Sequence, residues 1–206
     1  MIDILAYLNR INYRGSTKPT VETLRGIHRA HLLTVPFENL DIHHNKPIAL
    51  DEAALYEKIV VNRRGGFCYE LNGLFASLLR ELGFDVAMFS SNVIHGGIQA
   101  EVDHLTLLIQ LDELWIADVG FGDSSRLPLR LDIEGEQFGV DATYRITKPN
   151  DRWLLQRLVE NNEWYDEYSF RLDPLDVDDF QSACEYYQTA PESYFVQGRI
   201  CSRAME

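Results

Sequence analysis

The sequence predicts an α+β protein, helical to about Gly83 and built of antiparallel strands beyond it. Three observations carry this. Leu71, Leu74, Phe75, Leu78, Leu79 and Leu82 recur at steps of three and four, the spacing of one buried helix face, and the run stops at Gly83. Leu105, Leu107, Ile109 and Leu111 alternate at steps of two, the spacing of one strand face. Two pairs of apolar runs are joined by short polar turns at Asp112-Glu113 and Asn161-Asn162, as antiparallel hairpins require.

The elements follow in order. A first helix is expected over Asp3 to Asn9 with Ile4, Leu5 and Leu8 inward, followed by a loop at Asn12 to Ser16. Thr20 is placed to cap a second helix carrying Leu24, Ile27, His31 and Leu32, which Pro36 ends. His28 and His31 share a face of it, but no third ligand has suitable spacing, so they and His43-His44 read as ordinary polar or core histidines. Pro36 to Asp41 reads as a dense loop with one buried aromatic, and Asp51 as the cap of a third helix with Leu55, Ile59 and Val60. Gly65 and Gly66 give a flexible, uncrowded backbone before Cys68, where the fourth helix begins. Strands are expected at Val86 to Ser90, Val102 to Leu111, Leu114 to Val119, Trp153 to Val159 and Trp164 to Phe170. A glycine-bearing loop covers Ile94 to Ile98, polar loops fill Arg130 to Asp141, and Val177 to Tyr187 reads as a helix.

Composition bounds the function. With 46% hydrophobic and 25% charged residues in 206, the chain has the make-up of a soluble globular protein. A formal charge of −13 argues against a nucleic-acid partner, which needs a basic surface. No apolar run reaches the length of a membrane span, and the N-terminus lacks the basic start and apolar stretch of a signal peptide. Three cysteines without metal-type pairing point to a reducing, cytoplasmic setting.

Cys68 lies three residues before Leu71, so it falls on the buried face of its helix at the first turn. Unpaired N–H groups and the helix dipole there favour thiolate over thiol. A cysteine so placed is either a nucleophile or a small core residue. A nucleophile needs a base, and the base an orienting partner. His104 lies on the strand face opposite Leu105, Leu107 and Ile109, and Asp118 ends the next strand just before Gly120. A two-residue turn would oppose Leu107 to Asp118 and put His104 and Asp118 on opposite faces. A three-residue loop or a bulge opposes Thr106 to Asp118 and makes His104 a diagonal neighbour on the same face. A Cys68-His104-Asp118 triad therefore predicts an odd loop or a bulge near Leu111 to Leu114.

The motifs together add a resemblance. Arg64-Gly65-Gly66-Phe67-Cys68-Tyr69-Glu70-Leu71-Asn72 resembles the active-site cysteine signature of the arylamine N-acetyltransferase family, and Val35-Pro36-Phe37-Glu38-Asn39-Leu40 its other strong N-terminal motif. His104-Leu105 and Asp118-Val119-Gly120-Phe121-Gly122-Asp123 resemble its remaining catalytic segments, and Arg10 to Gly15 its opening. The resemblance runs in order from about Leu5 to Phe195. It implies a helical bundle over 1–84 carrying the cysteine and an antiparallel β-barrel-like domain over 85–206 carrying His104 and Asp118, a papain- or transglutaminase-like core. It implies Cys68, His104 and Asp118 as catalytic, acetyl-CoA as the acetyl donor, no metal, and ping-pong transfer to the nitrogen of an arylamine or arylhydrazine, a role in xenobiotic metabolism. Phe37 and Phe121 correspond to residues lining the acceptor pocket, or are plain core aromatics. Gly96 and Gly97 correspond to a loop contacting the CoA pyrophosphate, or form a surface turn. Arg64 is expected to hold its loop rather than to react.

Family members continue past the position of Glu206, and their C-terminal α/β lid is largely missing here. Gly198 to Arg203 resembles the start of a further strand of the second domain. The expectation is an unfinished sheet with an open edge that promotes self-association. Two rival functions follow: an impaired homologue acting as an interaction module, or a Cys-His-Asp hydrolase.

Overall fold

The computed structural model describes residues 2–94, 103–123 and 125–205, apart from the side chain of Asn161. Its helical layer comprises α1 (Ile4–Arg10), α2 (Val21–Thr34), α3 (Leu40–His43), α4 (Glu52–Tyr56) and α5 (Cys68–Glu81). Local chemistry sets the starts. Asp3, Thr20 and Asp51 each cap a helix by accepting from a backbone N–H three residues on. α4 runs into a π turn at Glu57–Val61, so the expected third helix is real but irregular. α5 is buried on nearly every side, with Leu74, Phe75 and Leu78 wholly inaccessible. Each such side chain contributes roughly 1.5–3 kcal/mol by leaving water. Leu5, expected inward on α1, is 68% exposed, whereas Tyr7 and Leu8 turn to the core.

The second layer is one antiparallel sheet. Its strands are β2 (Asp85–Val93), β3 (His104–Gln110), β4 (Leu114–Ala117), β5 (Leu129–Arg130), β6 (Glu136–Phe138), β7 (Thr143–Thr147), β8 (Trp153–Val159) and β9 (Glu163–Phe170), in the order β5-β4-β3-β2-β9-β8-β7-β6. The sheet curls until its ends meet. Gln137 of β6 accepts from the Arg130 N–H of β5 at 2.7 Å and donates to the Arg130 carbonyl at 2.8 Å. The open edge expected of this sheet is thus sealed by a side-chain amide, giving a nearly closed barrel. β6 falls where polar loops were expected, and β7 in a stretch given no element; β6 is short and half-exposed, whereas β7 alternates, with Tyr144 and Ile146 buried, but over only five residues.

Two cores result. Leu105, Leu107 and Ile109 face outward from the barrel onto the helices, while Phe89, Ile116, Tyr144, Leu155, Tyr168 and Phe170 fill its interior. The C-terminal segment does not extend the barrel. α6 (Gln181–Thr189) packs Ala183, Cys184 and Tyr187 into the helical core, α7 (Tyr194–Gln197) follows, and β10 (Cys201–Ser202) pairs with β1 (Phe37–Glu38). The strand expected at Gly198 to Arg203 therefore belongs to the N-terminal half. Asn39 fastens it there through the carbonyls of Phe195 and Gly198 and the N–H of Ile200. Among the described residues no helix is long and apolar enough to cross a membrane.

Candidate active site

The loop before Cys68 is crowded, contrary to the flexible stretch its glycines suggested. A Cβ on Gly65 would stand 2.0 Å from the Pro36 carbonyl oxygen, and one on Gly66 2.7 Å from a Glu70 carboxylate oxygen. Glycine is needed here for close approach, because β1 runs alongside and Glu38 donates its N–H to the Gly66 carbonyl at 2.9 Å. Arg63 is left-handed at φ 54°, and Arg10 spans the turn by donating to the carbonyls of Thr34, Ile59, Arg63 and Arg64.

A buried ion network locks this loop to α5. Arg64 pairs with Glu38 at 2.8 Å and Asp41 at 2.9 Å, and Lys58 with Asp41 at 2.8 Å and Glu70 at 2.7 Å. The other Glu70 oxygen accepts from the Phe67 N–H at 3.1 Å, closing the first turn of α5. Three carboxylates share two cations, and burial pushes Glu70 up to about 7 against the pull of Lys58. Breaking one such buried pair costs about 3–5 kcal/mol, because a charge is left without its partner.

Cys68 is the first residue of α5 and only 4% exposed. β3 and β4 bring the other two residues to it. Gln110 opposes Leu114 and Leu107 opposes Ala117, which leaves a three-residue loop, Leu111-Asp112-Glu113, and carries the register on to Thr106 opposite Asp118. His104 and Asp118 consequently share a face, and His104 Nε2 lies 2.7 Å from Asp118 Oδ2. With Nε2 so engaged, Nδ1 is the nitrogen left for Cys68, whose thiol favours the charged form of the ring. Burial opposes a charge on this ring, but the Asp118 carboxylate outweighs it, and with Cys68 raises His104 to about 10. Burial likewise opposes ionised Asp118, yet His104, Asn72 and the Gly120 N–H hold it below the usual carboxylate range.

Asn72, one turn after Cys68, joins the pieces. It donates to the Leu105 carbonyl at 2.7 Å and to Asp118 Oδ1 at 2.8 Å, and accepts from the Val119 N–H at 2.8 Å. Its spacing from Cys68 is a sequence signal, since positions four apart share a helix face, but the motif by itself gives Asn72 no role. Asp103 was missed as well. Tyr69 donates to its carbonyl at 2.9 Å, Val93 N–H and Tyr187 bond to its carboxylate, and so the neighbours of Cys68 and His104 are tied together. Gly120 lets the end of β4 lie on α5, where a Cβ would stand 2.8 Å from Cys68 Cα.

A cavity of about 510 Å³ reaches Asp118, although neither Cys68 nor His104 lines it. Phe37 and Phe121 both line it, with Val35, Asp118, Tyr194 and Phe195. Phe121 stands edge-on to the His104 ring at 5.2 Å, so one ring touches both the cavity and His104. Gly96 and Gly97 lie outside the described residues. Among the described residues no group of His, Cys, Asp and Glu side chains is arranged to hold a metal ion.

Known proteins resemble this chain in sequence and in fold. The profile of a family described as N-acetyltransferase matches residues 20–206. The pineal gland isozyme of arylamine N-acetyltransferase from Gallus gallus is 36% identical over 224 residues, covering 98% of this chain and 77% of that protein. The arylamine N-acetyltransferase / N-hydroxyarylamine O-acetyltransferase of Salmonella typhimurium is 40% identical over 194 residues, covering 92% and 69%. The solved arylamine N-acetyltransferase from Salmonella typhimurium superposes with a TM-score of 0.93 at 37% identity, over 100% of this chain and 77% of that one. The Mycobacterium marinum arylamine N-acetyltransferase in complex with CoA superposes at 0.92 with 34% identity, over 99% and 78%.

Proposed function

Because the chain belongs to the arylamine N-acetyltransferase family, we propose that it carries an acetyl group from acetyl-CoA to the nitrogen of an arylamine or arylhydrazine through an acetyl-Cys68 intermediate. The acyltransferase class follows from the family; the donor, the intermediate and the ping-pong order are the proposal. The observation that carries it is the 2.7 Å bond between His104 and Asp118, made by the face that the three-residue β3–β4 loop gives them in common.

In the first half-reaction the Cys68 sulfur, its proton held on His104 Nδ1, attacks the thioester carbonyl. Backbone N–H groups at the start of α5 stabilise the developing oxyanion. The carbon–sulfur bond to CoA breaks, His104 returns the proton to the departing thiolate, and acetyl-Cys68 remains. In the second half the acceptor nitrogen attacks that carbonyl and His104 takes its proton. The Cys68 thiolate leaves, and the N-acetyl product departs with the imidazolium–thiolate pair restored. Asp118 holds the ring in the required tautomer and stabilises its charged form. The cavity beside Phe37 and Phe121 is apolar on its aromatic side, which suits a flat aryl ring, and its size is that of a small-molecule site. CoA bound to the Mycobacterium marinum relative supports CoA as the donor's carrier here. The free state of Cys68, Cys184 and Cys201 suits the reducing cytoplasm.

The test is intact mass after incubation with acetyl-CoA alone. The protein should gain one acetyl group and release CoA, and the adduct should vanish on adding an arylamine and never form in Cys68→Ala. CoA release without an adduct or an acetylated amine would instead establish hydrolysis.

A further inference from the structure

His28, on α2, takes no part in the steps above, yet it is 1% exposed and stands directly behind Asp118. Its Nε2 lies 3.2 Å from the Asp118 backbone nitrogen and 3.1 Å from the Asp118 carbonyl oxygen, and its Nδ1 lies 3.2 Å from the Arg126 carbonyl oxygen. A neutral imidazole has one N–H and one lone pair, so these contacts are not all hydrogen bonds. With the proton on Nδ1, the ring donates to Arg126 and accepts the Asp118 N–H, and both nitrogens are satisfied. With the proton on Nε2, Nδ1 faces the Arg126 carbonyl, acceptor against acceptor, and the Asp118 N–H is buried without a partner. The first tautomer sets the Nε2 lone pair against the Asp118 carbonyl oxygen at 3.1 Å, so each has one contact between acceptors, but only the second also orphans a buried N–H, at about 1–3 kcal/mol, and the first wins. Burial keeps the ring neutral, at about 4, although Asp118 and Asp141 both favour its charge. Its other neighbours include the Phe75 ring, edge-on at 6.1 Å, His31, one turn along its own helix and itself buried, and Ile116, Ser125 and Tyr168, which line a small void with it.

The position matters because β4 ends at Ala117, just before the residue whose carboxylate holds His104. From there three consecutive backbone N–H groups are tied to side chains: Asp118 to His28, Val119 to Asn72, and Gly120 to Asp118 Oδ1. Asn72 secures the peptide after Asp118, and His28 the peptide before it. We infer that His28 is a positioning residue for acetyl transfer: it locks the Asp118 peptide from behind and ties it to the Arg126 segment bordering the cavity. The role rests on the Cys68-His104-Asp118 reading above.

Three substitutions separate the two ends of the ring. The Gln amide in His28→Gln reaches the place of Nε2 and can accept the Asp118 N–H. The shorter amide in His28→Asn reaches only the place of Nδ1 and keeps the Arg126 bond. His28→Phe keeps the volume and neither bond. The readout is the rate of Cys68 alkylation by iodoacetamide against pH, beside single-turnover acetylation and the thermal midpoint. His28→Phe and His28→Asn should alkylate about tenfold more slowly near neutrality, with the profile displaced to higher pH, and His28→Gln should stay within about threefold of wild type. Wild-type pH dependence in all three folded variants would overturn the inference. So would losses that follow the thermal midpoint regardless of which end of the ring is replaced. Alkylation needs no acetyl-CoA, so the series decides the role of His28 even where wild-type protein forms no acetyl adduct, a result that would refute only the donor reading.

Discussion

Asp118→Asn removes one negative charge while keeping shape, and the structure says which way the new amide must point. Asp118 Oδ1 accepts two N–H groups, from Asn72 at 2.8 Å and from Gly120 at 2.9 Å. The amide oxygen of the variant must stay on that side, so its NH₂ is presented to His104 Nε2, at the present 2.7 Å contact. Nε2 then has to accept, the ring proton moves to Nδ1, and Nδ1 cannot take the Cys68 proton. The charge loss acts in the same direction. His104 stands at about 10, with burial opposing and Asp118 as the main support. Loss of the whole rise, from about 10 back to about 6.5, sets a ceiling of about 5 kcal/mol. Cys68 supplies part of the rise, so the expected loss of thiolate reactivity near pH 7 is on the order of 10²- to 10³-fold. The assay is iodoacetamide alkylation between pH 5.5 and 9.5, followed by intact mass in a Cys201→Ser background, because Cys201 is exposed. Wild-type protein should show a shallow profile across neutrality, and the variant a rate climbing steeply with pH. A folded variant with the wild-type profile would refute both the ion pair and the tautomer argument.

Other expectations are equally concrete. Gly120→Ala should cut acetylation more than tenfold and lower stability by roughly 1–3 kcal/mol, because the added Cβ meets the backbone of Cys68, which has no flexible end to move aside; near-normal kinetics would mean that α5 and the end of β4 are not rigidly apposed. Asn72→Ala orphans the buried Leu105 carbonyl and Val119 N–H, so urea unfolding should show a loss of about 2–5 kcal/mol; a loss under about 1 kcal/mol would contradict the pairing. Stability against pH should form a plateau between about 4.5 and 6.5. Within it, the raised Glu70 and Glu167, both near 7, gain protons on folding, while His28 and His31, near 4 and 3, lose them, and the two effects offset. Above it, the stability contributed by His104 is lost as pH rises from its unfolded range of about 6.5 toward its folded value of about 10. Below about 4, the depressed Asp41 and Asp118 lose theirs as they protonate. Urea midpoints across pH test this, and Asp118→Asn should flatten the alkaline limb; an unchanged limb would assign it to another group.

The local arguments concern what a short stretch of chain settles by itself. Apolar spacing at three and four marked α5, Thr20 and Asp51 marked helix starts, and alternation marked β3, because side-chain direction in regular backbone depends only on position along the element. The order of motifs around Cys68, His104 and Asp118 pointed to the family and to the catalytic candidates. What the sequence left open depended on contacts between distant parts. The three-residue loop that puts His104 and Asp118 on one face could be stated as a condition, but only the paired strands supply it. The two glycines before Cys68 looked like freedom until β1 was found running against them. β6 carries too little apolar pattern to announce itself and β7 alternates over only five residues, and their place is set by the curl of a barrel that Gln137 closes. His28 is a polar helix residue with no local sign of use, Asn72 shows only its spacing from Cys68, and each gains its partners only when α2 and α5 close on the end of β4. Hydrogen-bond satisfaction in a buried site is a property of the assembled neighbourhood, and for that reason the tertiary structure alone decided how this site is held.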